Sequence, residues 1–218
     1  YGSISNLQVK IKNEFELYEG CTFGGIVCCN QTGGEIKNCS VTYVKTNLFN
    51  HWCTAGGISG LNYGKIQGCW AYVDVTTVGI FGAIVGSNRG EISECQGKGT
   101  ITQKVELFDG NRYMPSYAGG IAGINFEIGS IENCFAGTKY EEINGKLTYD
   151  EAYLNIFIVV NNVDDDTLAP YAGPIAGDNR GAISDCSNQG YYIDTGNLHS
   201  WWAWFVTYDQ LRNINNII

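Results

Sequence analysis

The fold is decided by Ala118-Gly119-Gly120-Ile121-Ala122-Gly123-Ile124-Asn125, followed after a short turn by Gly129-Ser130-Ile131-Glu132-Asn133-Cys134. Varied copies of this stretch begin at four further positions, which are Phe23, Ala55, Phe81 and Ala172. The shared pattern is small-Gly-Gly-Ile-x-Gly-x-Asn, a turn, and then Gly-x-Ile-x-x-Cys. Chance does not align so many positions five times, so the chain is built from an internal repeat.

The spacing of the copies indicates which kind of repeat this is. The first isoleucine of each copy lies 32, 26, 37 and 54 residues from the next, counted along Ile26, Ile58, Ile84, Ile121 and Ile175. A constant motif joined by connections of variable length is typical of stacked coils whose loops project from one side. The segments within a copy are short, alternating and rich in glycine, which favours strands over helices.

These features predict an all-β fold, specifically a parallel β-helix (β-solenoid) with three strands per coil and about six coils carrying long loop insertions. The third strand is the alternating run after each cysteine, such as residues 71–75. Parallel stacking would align identical residues of successive coils about 4.8 Å apart. We expect one such ladder to consist of hydrogen-bonded asparagines at inward bends, namely Asn30, Asn62, Asn88, Asn125 and Asn179.

The motif resembles the GLUG repeat, which occurs in large bacterial surface and secreted proteins, including adhesin-like proteins and the non-catalytic part of some IgA-protease-type metallopeptidases. The resemblance covers roughly residues 23–190 through the five copies. The chain departs from the motif in two ways. The turns after Asn30 and Asn125 are two residues longer than in the other copies, and Cys28 replaces the glycine found in those copies. The resemblance implies an extracellular or cell-surface location and an adhesin-like role.

The nine cysteines fall into two groups. Four of them, Cys21, Cys28, Cys29 and Cys53, lie outside the repeat pattern and are the ones that could form a disulfide. Two histidines and no Cys-x-x-Cys pair make a zinc site improbable. The other five share one repeat position, where we expect free, buried thiols filling a narrow core: Cys39, Cys69, Cys95, Cys134 and Cys186.

Composition narrows the classes of partner. The 218 residues carry a formal net charge of −9, with 22 acidic and 13 basic side chains, and only 16% of the residues are charged. Such a chain is a poor ligand for polyanions, so we expect neither nucleic acid nor an anionic membrane as a partner. The apolar runs are too short for a membrane span.

We expect one domain. Residues 1–22 form a partial first coil or cap, because residues 2–7 match the second half of the repeat with Leu7 in the cysteine place. Residues 23–190 hold the five repeats, and residues 191–218 form an aromatic cap. The start in mid-coil and the lack of a leader suggest a piece of a longer protein, with flanking domains and end-to-end self-association as partners.

Three features are candidates for a binding surface. The first is the loops inserted after the third strand, at about 103–116 and 138–170, the second of which holds an additional strand at 154–160. The second is an acidic run that is a weak calcium candidate, Asp164, Asp165 and Asp166. The third is a set of aromatic side chains that either cap the stack or stack on sugar rings, Trp52, Trp201, Trp202 and Trp204.

No catalytic motif stands out. The chain has no His-Glu-x-x-His sequence, no Gly-x-Ser-x-Gly elbow and no phosphate-binding loop, and we expect no cofactor. We therefore interpret the chain as a non-catalytic structural or adhesive module that binds a host glycan or surface protein. A polysaccharide lyase or hydrolase remains an alternative, with Asp178, Asp194 and the acidic run as carboxylates beside Arg89 and Arg180. A self-assembling filament subunit is another.

Overall fold

A computed structural model describes residues 2–12, 17–43, 46–104, 107–108, 112–113, 116–137, 141–143, 146–148, 156–160, 171–188 and 192–194. All regular elements in these ranges are β-strands, so the prediction of an all-β fold is confirmed. The expected aromatic cap, apart from residues 192–194, and the acidic run at 164–166 lie outside the described residues.

The strands follow one another as β1 Ser3–Ser5, β2 Gln8–Ile11, β3 Thr22–Gly24, β4 Val27–Asn30, β5 Glu35–Lys37, β6 Ser40–Tyr43, β7 Thr46–Gly56, β8 Ser59–Asn62, β9 Lys65–Gln67, β10 Trp70–Gly82, β11 Val85–Asn88, β12 Glu91–Ser93, β13 Gln96–Lys104, β14 Leu107–Phe108, β15 Arg112–Tyr113, β16 Tyr117–Gly119, β17 Ala122–Asn125, β18 Ser130–Glu132, β19 Phe135–Ala136, β20 Glu141–Ile143, β21 Lys146–Thr148, β22 Ile156–Val160, β23 Tyr171–Gly173, β24 Ala176–Asn179, β25 Ala182–Ser184, β26 Ser187–Asn188 and β27 Tyr192–Asp194.

Most of these strands form three parallel sheets. Sheet A has the order β1-β5-β9-β12-β18-β25, and sheet C has the order β24-β17-β11-β8-β4. Sheet B contains twelve strands: six follow the path β2-β6-β10-β13-β19-β26, and the other six, β3, β7, β16, β22, β23 and β27, pair beside it. The chain passes from sheet C to sheet A to sheet B and back to sheet C, so hydrogen-bonded neighbours in a sheet are one repeat apart. This arrangement is compatible with a β-helix.

The register places equivalent residues of the repeats side by side. In sheet A the isoleucine of each copy pairs with its counterpart in the next copy, as in Ile66 with Ile92 and Ile92 with Ile131. Burial is almost complete for Ile66, Ile92 and Ile131 and for Ile58 and Ile84, which precede strands of sheet C. Ile26 and Ile183, in the first and last copies, are half-buried. Since the isoleucines of sheet A lie on one side of its strands, a shift of register by one residue would expose them.

A residue in the left-handed backbone conformation lies at each turn from sheet A to sheet B. The residue directly before each column cysteine has a positive φ between 50° and 63°, and these residues are Asn38, Gly68, Glu94, Asn133 and Asp185. Glycine, asparagine and aspartate tolerate this conformation best, which explains four of the five identities. Glu94 is the exception.

Sheet B departs from the expected arrangement, because its long strands continue into the next copy of the motif. Strand β10 runs without a break through thirteen residues and joins the third strand of one repeat to the Phe81-Gly82 that opens the next. In the following repeat, residues 105–116 separate Lys104 from Tyr117, whereas their partners in β10 are separated by Gly79 alone. The insertion therefore opens within the strand and not at a corner after it.

The second long insertion also interrupts sheet B. Residues 137–155 separate Ala136 from Ile156, whereas their partners in β13 are separated only by Lys98. The additional strand expected near residues 154–160 is present as β22, Ile156–Val160, which returns to the sheet and pairs in parallel with β13. The variable lengths between repeats thus come mainly from sheet B, while sheets A and C differ only in the short turn between them.

Candidate functional site

The five column asparagines form a continuous ladder. Each Nδ2 donates to the Oδ1 of the asparagine in the next repeat, with all four donor–acceptor distances at 2.8 Å, in the order Asn30, Asn62, Asn88, Asn125 and Asn179. The same amides also bond the turn that follows; for example, Asn88 Oδ1 accepts from the Gly90 N–H at 3.2 Å. The ladder therefore links successive repeats and holds the turn between sheets C and A.

The column cysteines are all buried and all free. Each thiol donates to the backbone carbonyl two residues earlier, as Cys95 Sγ does to Ser93 O at 3.2 Å. Backbone N–H groups donate in turn to the sulfur of the next repeat, as Cys95 N does to Cys134 Sγ at 3.4 Å. Burial, with the neighbouring thiols, raises the pKa of Cys95 well above its ordinary value. A protonated thiol suits a packing role.

The cysteines outside the column are free as well. Cys53 is buried, donates to Tyr18 O at 3.2 Å, and has its pKa raised to about 11, chiefly by burial. Cys28 is exposed on sheet C, beside the half-buried Cys29. Burial and the neighbouring Cys28 raise the pKa of Cys29 above its ordinary value. Cys28 is thus the most accessible thiol of the nine.

The residues after the last four ladder asparagines form a second column at the same turn, in which aromatic and arginine side chains alternate, namely Tyr63, Arg89, Phe126 and Arg180. The guanidinium carbon of Arg89 lies 3.8 Å from the ring centroid of Phe126 and 5.9 Å from that of Tyr63. The guanidinium carbon of Arg180 lies 5.6 Å from the ring centroid of Phe126. Arg180 also forms an ion pair with Asp178 at 2.8 Å. These stacked cations stabilise the turn.

The carboxylates considered for catalysis do not gather in the described part of the chain. Asp178 is engaged by Arg180 through both Nε and a terminal nitrogen. Asp194 lies in β27, where only the backbone is described, and Asp164, Asp165 and Asp166 lie outside the described residues. Among the described residues, no group of three or more histidine, cysteine or acidic side chains could hold a metal ion.

Two of the five tryptophans lie in the described residues. Trp52 is half-buried in β7, and its carbonyl accepts from the Gly20 N–H at 2.9 Å. Trp201, Trp202 and Trp204 lie outside the described residues. Trp70, in contrast, is 40% exposed at the start of β10. It is therefore the described tryptophan best placed to meet a ligand.

Trp70 belongs to an aromatic patch on the outer face of sheet B. In one row across the strands, Trp70 pairs with Gln96 and Gln96 pairs with Phe135; in the next row, Tyr72 pairs with Lys98. Their neighbours Ala71 and Ala136 are fully buried, so alternation along the strands turns these five side chains outward. We call the surface formed by Trp70, Tyr72, Gln96, Lys98 and Phe135 the Trp70 face.

Two contacts order this surface. Gln96 Nε2 donates to Gly137 O at 2.9 Å, which holds the amide between the two aromatic side chains of its row. Lys98 Nζ lies 5.9 Å from the ring centroid of Trp70, at the outer limit of a cation–π contact. The Trp70 ring is thus positioned on the outer face of sheet B while remaining partly open to solvent.

Residues 19–42 match the sequence profile of the GLUG motif. The chain carries a GLUG repeat. The matched residues cover β3, β4 and β5 and most of β6, which is one passage through sheets B, C, A and B. No curated protein and no solved structure matches the chain. No helix in the described residues is long and apolar enough to cross a membrane.

Two features of the five repeat copies were not predicted, although the sequence contains a signal for each. The residue before each column cysteine is Asn, Gly, Glu, Asn or Asp, a composition typical of left-handed turns. The third strand was predicted after each column cysteine, but the residues directly after the cysteines, which include Trp70 and Phe135, were not predicted to form one row across sheet B. Aligning the copies by the residues on either side of the cysteine reveals both features.

Proposed function

We propose that this chain is a non-catalytic module of a bacterial extracellular surface protein. Its three sheets form the faces of a parallel β-helix with three strands per coil and about six coils, which serves as a stiff stalk or adhesive element. The observation that carries the proposal is the continuous register of sheets A and C through every repeat, from β1 to β25 and from β4 to β24. A stack of this kind extends along one axis with little room for hinges.

The side-chain ladders support a mechanical role. Hydrogen bonds of 2.8 Å between asparagine side chains join each repeat to the next along one edge of sheet C. A second column at the adjacent turn stacks Arg89 on Phe126. Both columns connect residues that are far apart in sequence, so separating two repeats requires breaking several contacts at once.

The insertions support an adhesive role. The long connections leave the stack from sheet B, and solenoid proteins commonly use loops on one face for recognition. The Trp70 face lies on this same sheet and adds exposed aromatic surface. A host glycan or a surface protein is the partner we propose, with flanking domains of a longer protein holding the module in place.

A glycan and polysaccharide array tests this function, with turnover of each hit followed by ultraviolet absorbance and release of reducing ends. Binding without turnover is the expected result, because no catalytic motif is found in the sequence and Asp178 is engaged by Arg180. Turnover of any hit would refute the non-catalytic proposal and favour the polysaccharide lyase or hydrolase. Trp202→Ala tests the C-terminal aromatic cluster in the same assay.

The ends of the stack favour a second candidate, the filament subunit. Among the described strands, β1 and β25 each have one partner in sheet A, as do β4 and β24 in sheet C. Unpaired strand edges can add a strand from another molecule. Sedimentation velocity over a wide concentration range distinguishes the two candidates, since a filament subunit would form a concentration-dependent series of assemblies and a monomeric module would not.

A further inference from the structure

The spacing of the two aromatic side chains in one row of the Trp70 face is set by the sheet. Trp70 and Phe135 are separated by one intervening strand, which carries Gln96. Two interstrand steps correspond to about 10 Å. A ligand that contacts both side chains must therefore offer two flat apolar surfaces at this separation, with polar groups between them.

A linear chain of β-1,4-linked pyranose rings has this repeat. Alternate rings of such a chain turn the same face to one side, and two rings span nearly the same distance as two interstrand steps. The C–H faces of pyranoses stack on aromatic rings, and their hydroxyls bond amides and hydroxyls. Gln96 is placed to meet the ring between the two stacked ones.

The charges favour a neutral chain over an acidic one. The whole molecule carries a formal net charge of −9, which repels polyanions. The row beside the aromatic side chains runs through Lys10, Thr42, Tyr72 and Lys98, so it contains no carboxylate that would compete with sugar hydroxyls. Asp74, the acidic group nearest along β10, lies one row further out.

We propose that the Trp70 face binds a neutral, linear β-1,4-linked polysaccharide that lies across the strands of sheet B, with alternate rings stacked on Trp70 and Phe135. This deepens the adhesive function proposed above and rests on it. Three consecutive rings are the shortest ligand that reaches both aromatic side chains, with the middle ring over Gln96.

Isothermal titration calorimetry with β-1,4-linked mannose oligosaccharides, from the disaccharide to the hexasaccharide, tests the geometry. Affinity is expected to rise by about tenfold between the disaccharide and the trisaccharide, as the second stacking contact forms, and to change little beyond. Trp70→Ala and Phe135→Ala are each expected to lower trisaccharide affinity by about tenfold and to abolish the step. Trp70→Phe, which keeps a ring, is expected to retain the step and guards against a folding defect.

The matched control is Tyr18→Ala. Tyr18 is 84% exposed and lies outside both rows of the Trp70 face, so its removal is expected to leave affinity unchanged. Polymannuronate, which has the same linkage as mannan and a carboxylate on each ring, is expected to bind more weakly than mannan at low salt.

The outcomes separate the two proposals. Absence of binding by all mannose oligosaccharides, an effect of Tyr18→Ala equal to that of Trp70→Ala, or tighter binding of polymannuronate than of mannan would each overturn the assignment of this ligand. Those results leave a non-catalytic stalk intact. Cleavage of the oligosaccharides during the titration would instead overturn the non-catalytic function.

Discussion

Replacing Asn88 by alanine should strongly destabilise the protein, because Asn88 lies in the middle of the asparagine ladder and is fully buried. Its Oδ1 accepts from Asn62 Nδ2 at 2.8 Å and from the Gly90 N–H at 3.2 Å. Its Nδ2 donates to Asn125 Oδ1 at 2.8 Å, to Gly90 O at 3.1 Å and to Ser130 O at 3.2 Å. The change removes all of these bonds and leaves their partners buried.

The expected loss follows from these contacts. At about 1 kcal/mol for each net hydrogen bond, the free energy of unfolding should fall by about 4 to 5 kcal/mol. Asn30 is the matched control at the end of the ladder. Its one short bond goes to Asn62 Oδ1 at 2.8 Å, and its other donor contacts are 3.3 and 3.5 Å long, so Asn30→Ala should cost only about 1 to 2 kcal/mol.

Urea denaturation followed by far-ultraviolet circular dichroism measures the free energy of unfolding of both variants. A slope of the transition equal to that of the wild-type protein confirms that only stability has changed. Equal losses for Asn30→Ala and Asn88→Ala would refute the reasoning, because they would mean that each asparagine acts only within its own turn. A loss below about 1 kcal/mol for Asn88→Ala would refute it as well.

An aspartate at the same position adds a test by pH. In Asn88→Asp the new carboxylate would face Asn125 Oδ1, an acceptor that only a protonated acid can satisfy. Burial and this contact should raise the folded-state pKa of the new group above its unfolded value of about 3.9. Its contribution to stability is then fully present below pH 3.9 and is lost as the pH rises through the folded-state pKa. The variant should therefore approach the wild-type protein in stability at acidic pH and fall furthest behind at neutral pH.

Three further predictions concern the turns and the thiols. Glu94→Asn should raise the free energy of unfolding by about 0.5 to 1 kcal/mol, because Glu94 has a φ of 56°. Asn133→Ala at the equivalent turn should lower it by a similar amount. A fall for Glu94→Asn or a rise for Asn133→Ala in urea denaturation would contradict this. Cys28 should react first with a thiol reagent in the native protein, and Cys28→Ser should remove this fast phase. Cys29 should react more slowly and only as the pH is raised, because its pKa is raised. A fast phase that persists in Cys28→Ser would show that another thiol is more accessible. Arg89→Lys keeps the charge but removes the planar guanidinium stacked on the Phe126 ring, so the free energy of unfolding measured by urea denaturation should fall by about 1 kcal/mol. An unchanged free energy of unfolding would mean that the stacking does not stabilise the turn.

Much of the fold could be read from the repeat. The recurring isoleucine, asparagine and cysteine predicted parallel stacking. The isoleucine and asparagine columns lie in register across neighbouring repeats, and Cys95 N donates to Sγ of Cys134 in the next repeat. Identical residues align because a parallel sheet places equivalent positions of successive repeats side by side. The motif itself therefore contains the information about which residues meet.

The path of sheet B could not be read from the motif. Residues 103–116 and 138–170 were expected as loops after the third strand, but β10 continues from Trp70 to Gly82 through the equivalent position, so the insertions open within one long strand of sheet B. Whether a strand bends or continues depends on the packing of the adjacent sheet, which no local pattern states.

The sequence by itself determined the repeat, the strands and the residues that form the asparagine and cysteine columns, because these follow from local periodicity and from identity between copies. Only the tertiary structure decided which side chains share the outer face of sheet B. Trp70 and Phe135 are 65 positions apart in the sequence, yet they lie two strands apart in one row. Their proximity depends on the register of three repeats whose connecting lengths differ, and that register is set by burial of the core and not by the distance along the chain.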